Sequence, residues 1–129
     1  MKILLVEDDL TSRMFMEKYL SRYGHVSYAS NGLLAIDLVE DALKKNQYYD
    51  LICLDVMMPK IDGLKTLKEI KKLEKKYPDR SMSKVIMTSA LNDKHTVEEA
   101  YDSGCHGYAW KPIDIQKFDE LLKTLNLID

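Results

Sequence analysis

Five short apolar runs, 2–6, 25–29, 50–55, 84–88 and 106–110, are each followed by a longer segment whose apolar residues recur every three or four positions. Runs this short have the length of strands, and their alternation with helical period implies consecutive βα units. Such units build a parallel sheet with helices on both faces, an α/β architecture. The chain has 129 residues, 46% of them apolar, which fits one domain over residues 1–129 with a single core and leaves no room for a second. No internal repeat, linker or low-complexity tract interrupts it.

The punctuation between runs supports this reading. A helix is expected from about Leu10 to Tyr23, stopped by Gly24, a residue that tolerates positive φ. Ser30 or Asn31 caps a second helix carrying Leu34, Leu38 and Ala42 beside Ala35, Val39 and Leu43. Asp62 caps a third, with Leu64, Leu67, Ile70 and Leu73 on one side and lysines on the other. Asn92 or Asp93 starts a short helix ending at Gly104, and Asp114 caps a last one with Ile115, Phe118, Leu121, Leu122 and Leu125 on one side.

Three of the runs end in charge. The first leads into Glu7-Asp8-Asp9, the third ends at Asp55, and the fifth ends in Lys111-Pro112. Open parallel sheets carry their sites at the C-terminal ends of strands, so these groups are expected to meet at one sheet edge. Crowded carboxylates raise one another's pKa and call for a cation. Mg²⁺ takes hard oxygen ligands, one or two carboxylates beside a substrate phosphate oxygen, and Glu7, Asp8 and Asp55 supply such a set. Asp9 is then free to cap the first helix. With a metal and the Lys111 ammonium offsetting charge, Asp55 can act as a nucleophile toward phosphorus and form an aspartyl phosphate. Thr88-Ser89-Ala90 offers a hydroxyl for another phosphoryl oxygen.

Together Glu7-Asp8, Asp55 followed by Met58-Pro59 and Asp62-Gly63, Ser89-Ala90, and Tyr108 with Lys111-Pro112 resemble the receiver domain of two-component response regulators. The resemblance covers the whole chain and implies a flavodoxin-like (βα)5 fold of strand order 2-1-3-4-5. It implies Asp55 as phosphoacceptor and Glu7 and Asp8 as the acidic metal pair for Mg²⁺ or Mn²⁺, joined by the backbone carbonyl of Met57. It further implies Ser89 as switch hydroxyl, Tyr108 as switch aromatic, Lys111 as phosphate-binding lysine, and a cis peptide bond before Pro112. The implied donor is a sensor histidine kinase or a histidine phosphotransfer protein. The implied readout is a downstream protein that binds the face made by helix four, strand five and helix five. Such a domain is a signalling module that catalyses only its own phosphorylation and dephosphorylation. A monomer is the default expectation, with dimerisation through that same face as the alternative.

Departures from the family pattern carry their own expectations. Ser89 stands where threonine is common, keeping the hydroxyl with a looser rotamer. Trp110, beside Lys111, reads as a large core or interface aromatic. Met57 and Leu91 occupy the positions that in this family tune access of water to the phosphoryl group. Neither orients water by hydrogen bonding and both shield phosphorus, so slow autodephosphorylation is expected.

Other readings are weaker. Phosphatases of the haloacid-dehalogenase type carry a second aspartate two residues after the nucleophile, where this chain has Met57. A flavin carrier would need a phosphate cradle where Glu7-Asp8-Asp9 stands. A phosphorylation-independent binding module on the same fold is the remaining alternative. The lysines between 65 and 76 are interspersed with Glu69 and Glu74 and read as a solvated helix face rather than a nucleic-acid patch. The net charge of −2 demands neither nucleic acid nor membrane. Cys53 and Cys105 lack metal-ligand spacing and read as reduced thiols of a cytoplasmic protein. No segment approaches the roughly 20 apolar residues of a membrane span. The chain stops shortly after the last helix, from which a domain without an attached output domain is expected.

Overall fold

The computed structural model describes all of Met1–Asp129. Strands and helices alternate strictly: β1 (Lys2–Val6), α1 (Leu10–Leu20), β2 (His25–Ala29), α2 (Gly32–Lys44), β3 (Leu51–Asp55), α3 (Gly63–Lys75), β4 (Lys84–Ser89), α4 (Lys94–Asp102), β5 (Gly107–Trp110) and α5 (Ile115–Thr124). The five strands are all parallel in the order β2-β1-β3-β4-β5. This is the flavodoxin-like fold that the sequence implies, with β1 and β3 flanking the point where the order reverses.

Because side chains alternate across a strand, each central strand feeds two cores. Ile3, Leu5, Leu51, Cys53 and Ile86 pack with Met16, Tyr19 and Leu20 of α1 and Phe118 and Leu122 of α5. Leu4, Val6, Ile52, Leu54, Val85 and Met87 pack on the other face with α2, α3 and Ala100 of α4. All five residues of β3 are buried. That two-sided burial is why the strands read as continuous apolar runs. Each fully buried leucine or isoleucine here contributes about 1.5–3 kcal/mol relative to exposure. No helix is long and apolar enough to cross a membrane.

Every helix has an N-cap of the type expected from sequence. Asp9, Asn31, Asp62, Asp93 and Asp114 each accept a backbone N–H from the first turn. The ends of α1 and α4 differ from expectation. α1 ends at Leu20 rather than Tyr23, and Ser21 through Tyr23 form a turn. Gly24 is required there for space, not for positive φ: a Cβ at this position would lie 1.9 Å from the Met1 carbonyl oxygen. α4 ends at Asp102, and Gly104, at φ +108, carries the left-handed turn that follows.

Candidate functional site at the strand C-terminal edge

The C-terminal ends of β1, β3, β4 and β5 converge, and with them the charged residues that close those runs. Ligand oxygens of Glu7, Asp8 and Asp55 all lie within 4.8 Å of one another. Glu7 and Asp55 are buried while Asp8 is exposed. Lys111 reaches this cluster from the end of β5, its Nζ 2.6 Å from Glu7 Oε1 and 3.4 Å from Asp55 Oδ2. The Lys111–Pro112 bond is cis.

Glu7 and Asp55 are oriented by the backbone as well as by Lys111. Asp9 N–H donates to Glu7 Oε2 at 3.3 Å, and Met57 N–H donates to Asp55 Oδ1 at 3.3 Å. Glycine at 63 lets the loop fold back on the site, since a Cβ there would fall 2.1 Å from the Asp55 carbonyl oxygen. Gly63 N–H closes that turn on Val56 O at 2.8 Å. Between them Lys60 adopts φ 69, a left-handed conformation uncommon for a residue with a Cβ.

Two buried carboxylates face one ammonium, and the imbalance shows in their protonation. Burial pushes the Asp55 carboxyl up to about 7, helped by its hydrogen bond and charge repulsion with Glu7 and opposed by Lys111 and the Met57 amide. Burial alone would lower the Lys111 ammonium, yet the bond to Glu7 and the charges of Asp55 and Glu7 outweigh it and hold its pKa above the ordinary value. A site with more negative charge than its lysine can offset suits a divalent cation, and the donors present are the hard oxygens that Mg²⁺ or Mn²⁺ takes. Asp9 stands apart in this respect. Its side chain accepts from Ser12 N–H at 2.9 Å as the cap of α1, and that bond lowers its pKa.

Ser89 ends β4 one residue beyond Thr88, the partner of Asp55 in the β3–β4 register. It is buried, and its Oγ accepts Leu91 N–H at 2.9 Å. Tyr108 donates its hydroxyl to the Leu91 carbonyl at 2.6 Å. Met57, Met58, Pro59, Leu64 and Leu91 line a groove beside Asp8 and Asp62. Met57 and Leu91 are exposed there. On the other side of the sheet Thr88 joins Glu7, Lys111, Phe15, Met16 and Ile113 around a cavity of about 370 Å³.

Trp110 is not a core residue. It is 54% exposed, because β5 is an edge strand, and its ring stands 6.1 Å from that of Tyr108. The lysine face of α3 is solvated as expected save for Lys71, which bonds the buried Glu74 at 3.1 Å. Cys53 and Cys105 are free and buried. The histidines stand outside the carboxylate cluster, but His106 takes part in strand pairing through its Nδ1, a contact that nothing in its sequence neighbourhood signals.

A doubly wound parallel sheet with an acid cluster and a lysine at its switch-point edge is the arrangement expected of a receiver domain. Residues 3–123 match the family model of the response regulator receiver domain, and the chain belongs to that family. It is 31% identical to the chemotaxis protein CheY of Bacillus subtilis, covering 97% of this chain and 98% of that one. It is 34% identical to the transcriptional regulatory protein ZraR of Klebsiella oxytoca and 32% to the osmosensing histidine protein kinase SLN1 of Saccharomyces cerevisiae, covering 96% and 94% of this chain. The chain spans only 25% of the former's length and 10% of the latter's. Among solved structures, the receiver domain of the Francisella response regulator 1452 superposes with a TM-score of 0.75 at 28% identity, covering 98% of this chain and 94% of that one. The receiver domain of the Arabidopsis thaliana histidine kinase CKI1, in complex with Mg²⁺ and BeF3⁻, shares the fold with a TM-score of 0.82 at 23% identity, covering 98% and 88%.

Proposed function

We propose that this receiver domain accepts a phosphoryl group on Asp55 from a phosphohistidine of a sensor kinase or histidine phosphotransfer protein. One observation carries the reading: the buried Asp55 carboxylate shares a 4.8 Å cluster with Glu7 and Asp8 while the Lys111 ammonium lies 3.4 Å away. Glu7, Asp8, Asp55 and the Met57 carbonyl are the groups that would hold Mg²⁺ or Mn²⁺. When bound, the metal supplies positive charge against the phosphoryl oxygens.

The residues of the chain do the rest. An Asp55 oxygen attacks phosphorus as the P–N bond of the donor breaks, the imidazole leaves, and Asp55 becomes an aspartyl phosphate. Transfer of this kind depends on positioning and on offsetting charge at the equatorial oxygens. Lys111 supplies a fixed ammonium and the Ser89 hydroxyl a hydrogen bond to one oxygen. A Ser89 engaged by phosphate has less to offer Leu91, whose carbonyl Tyr108 holds. The phosphoryl group thereby biases the β4–α4 loop and the face formed by α4, β5 and α5, where Tyr101 and Trp110 are exposed. That face is the docking surface for a downstream protein.

The test is transfer from an autophosphorylated histidine kinase to the wild type and to Asp55→Asn with Mg²⁺ present. Label passing to the wild type alone supports the reading, and equal labelling of both assigns the chemistry to another residue.

A further inference from the structure

The first rung of the pairing between β4 and β5 is made by a side chain. Val85 turns both polar backbone atoms toward β5. Its carbonyl accepts His106 N–H at 2.7 Å, and its amide donates to the imidazole Nδ1 of His106 at 3.0 Å. The ladder proper begins one residue later, with Gly107 opposite Ile86. The chain reaches it from the left-handed turn at Gly104, so the imidazole stands where a longer β5 would have offered a carbonyl.

An Nδ1 that accepts carries no proton, so the neutral ring holds its hydrogen on Nε2. A second proton has only Nδ1 to go to. It would turn the acceptor into a donor pointed at the Val85 amide and break the bond. The charged groups around the ring are Lys71 and Glu74 of α3 and Lys84 of β4. Burial and the two ammonium groups disfavour the imidazolium, with Glu74 opposing. Glu74 is itself committed to Lys71 Nζ at 3.1 Å and to Ser83 N–H at 2.8 Å. Cys105, the residue before His106, is a buried thiol.

We propose that His106 is an acid-sensitive latch on β5: uptake of a proton at Nδ1 releases the Val85 amide and opens the β4–β5 pairing from its N-terminal end. Tyr108 lies two residues further along β5 and Lys111 just beyond its end. Acid therefore loosens the strand that carries Tyr108 and leads into Lys111, starting from the end of the sheet opposite the carboxylate cluster. The inference rests on the strand pairing alone and stands whether or not Asp55 is phosphorylated.

Nitrogen-15 NMR of the imidazole, with amide exchange of Val85 and Gly107 followed across the His106 titration, tests it. The expected tautomer at neutral pH is Nε2–H. The His106 pKa should be lower in the folded protein than in the same protein in urea, and Val85 protection, corrected for intrinsic exchange rate, should drop as the ring protonates. His106→Asn retains an acceptor that does not titrate, so its Val85 amide should stay protected through the same pH range. An Nδ1–H tautomer, a folded pKa at or above the unfolded one, or Val85 protection that falls equally in His106→Asn would each overturn the latch.

Discussion

Ser89 and Tyr108 hold opposite sides of one residue: Leu91 N–H donates to Ser89 Oγ at 2.9 Å while the Leu91 carbonyl accepts the Tyr108 hydroxyl at 2.6 Å. A hydroxyl at the end of β4 and an aromatic on β5 are thus tied through a single peptide segment of the intervening loop. The tie at Ser89 is part-buried and the tie at Tyr108 is exposed to solvent.

That difference predicts unequal costs of removing the two hydroxyls. Ser89→Ala leaves a loop amide without its acceptor and should lower stability by about 1 kcal/mol. Tyr108→Phe frees a carbonyl that water can reach and should cost less, about 0.5 kcal/mol or below. Urea denaturation of both variants measures the ordering, and a larger loss for Tyr108→Phe would contradict it.

Asp55 predicts an unusual pH dependence for the metal-free protein. Its folded pKa, about 7, lies above the ordinary 3.8, so the folded state retains a proton that the unfolded state gives up. Stability from this group is therefore full below the unfolded pKa and declines as pH rises through the interval up to the folded one. Asp55→Asn should remove that decline and leave the metal-free protein more stable at pH 8 by up to about 4 kcal/mol. Saturating Mg²⁺ should close much of the gap by stabilising the wild type. Parallel pH curves for the two proteins would rule this out.

Gly63 predicts a steric effect on the backbone of the same residue. An added Cβ would meet the Asp55 carbonyl at 2.1 Å, a backbone atom that cannot swing away. Gly63→Ala should cost more than about 2 kcal/mol and displace the β3–α3 loop. Thermal unfolding and Mg²⁺ affinity, read together, check this. A variant with unchanged values would show that the loop has room to yield.

Met57 and Leu91 predict a long-lived phosphoryl group. Both are exposed and flank one groove beside the cluster, and neither offers a group to orient water. The double substitution Met57→Asn with Leu91→Glu should speed loss of phosphate from pre-phosphorylated protein by at least about tenfold, the scale of a weak general-base contribution. Equal decay rates would dismiss shielding as the cause of slow turnover.

The strands and caps could be read in advance because burial on both faces and Asp or Asn at helix starts are local properties of sequence. The charged cluster was legible for the same reason: Asp55 ends β3, Glu7 and Asp8 directly follow β1, Lys111 directly follows β5, and parallel topology brings strand ends together. What escaped reading depends on which elements end up adjacent. Glu74 reads as part of a solvated charged face, yet its carboxylate takes the amide of Ser83 and the ammonium of Lys71. Trp110 reads as a core or interface aromatic, and its place on the edge strand excludes the core. The early end of α1 accompanies a contact with α5, in which the hydroxyls of Tyr19 and Tyr23 both donate to Asp119 Oδ1 at 2.5 and 2.7 Å. No pattern within residues 10–23 encodes that carboxylate. The same holds for His106, whose ring completes a ladder that only the turn at Gly104 leaves short.

The most direct measurement is the intact mass of wild type and Asp55→Asn after exposure to acetyl phosphate, each with and without Mg²⁺. One phosphoryl group should be added to the wild type with Mg²⁺ and none in the other three samples. A phosphoryl group gained by Asp55→Asn, or gained by the wild type equally without the metal, would contradict Mg²⁺-dependent transfer to Asp55.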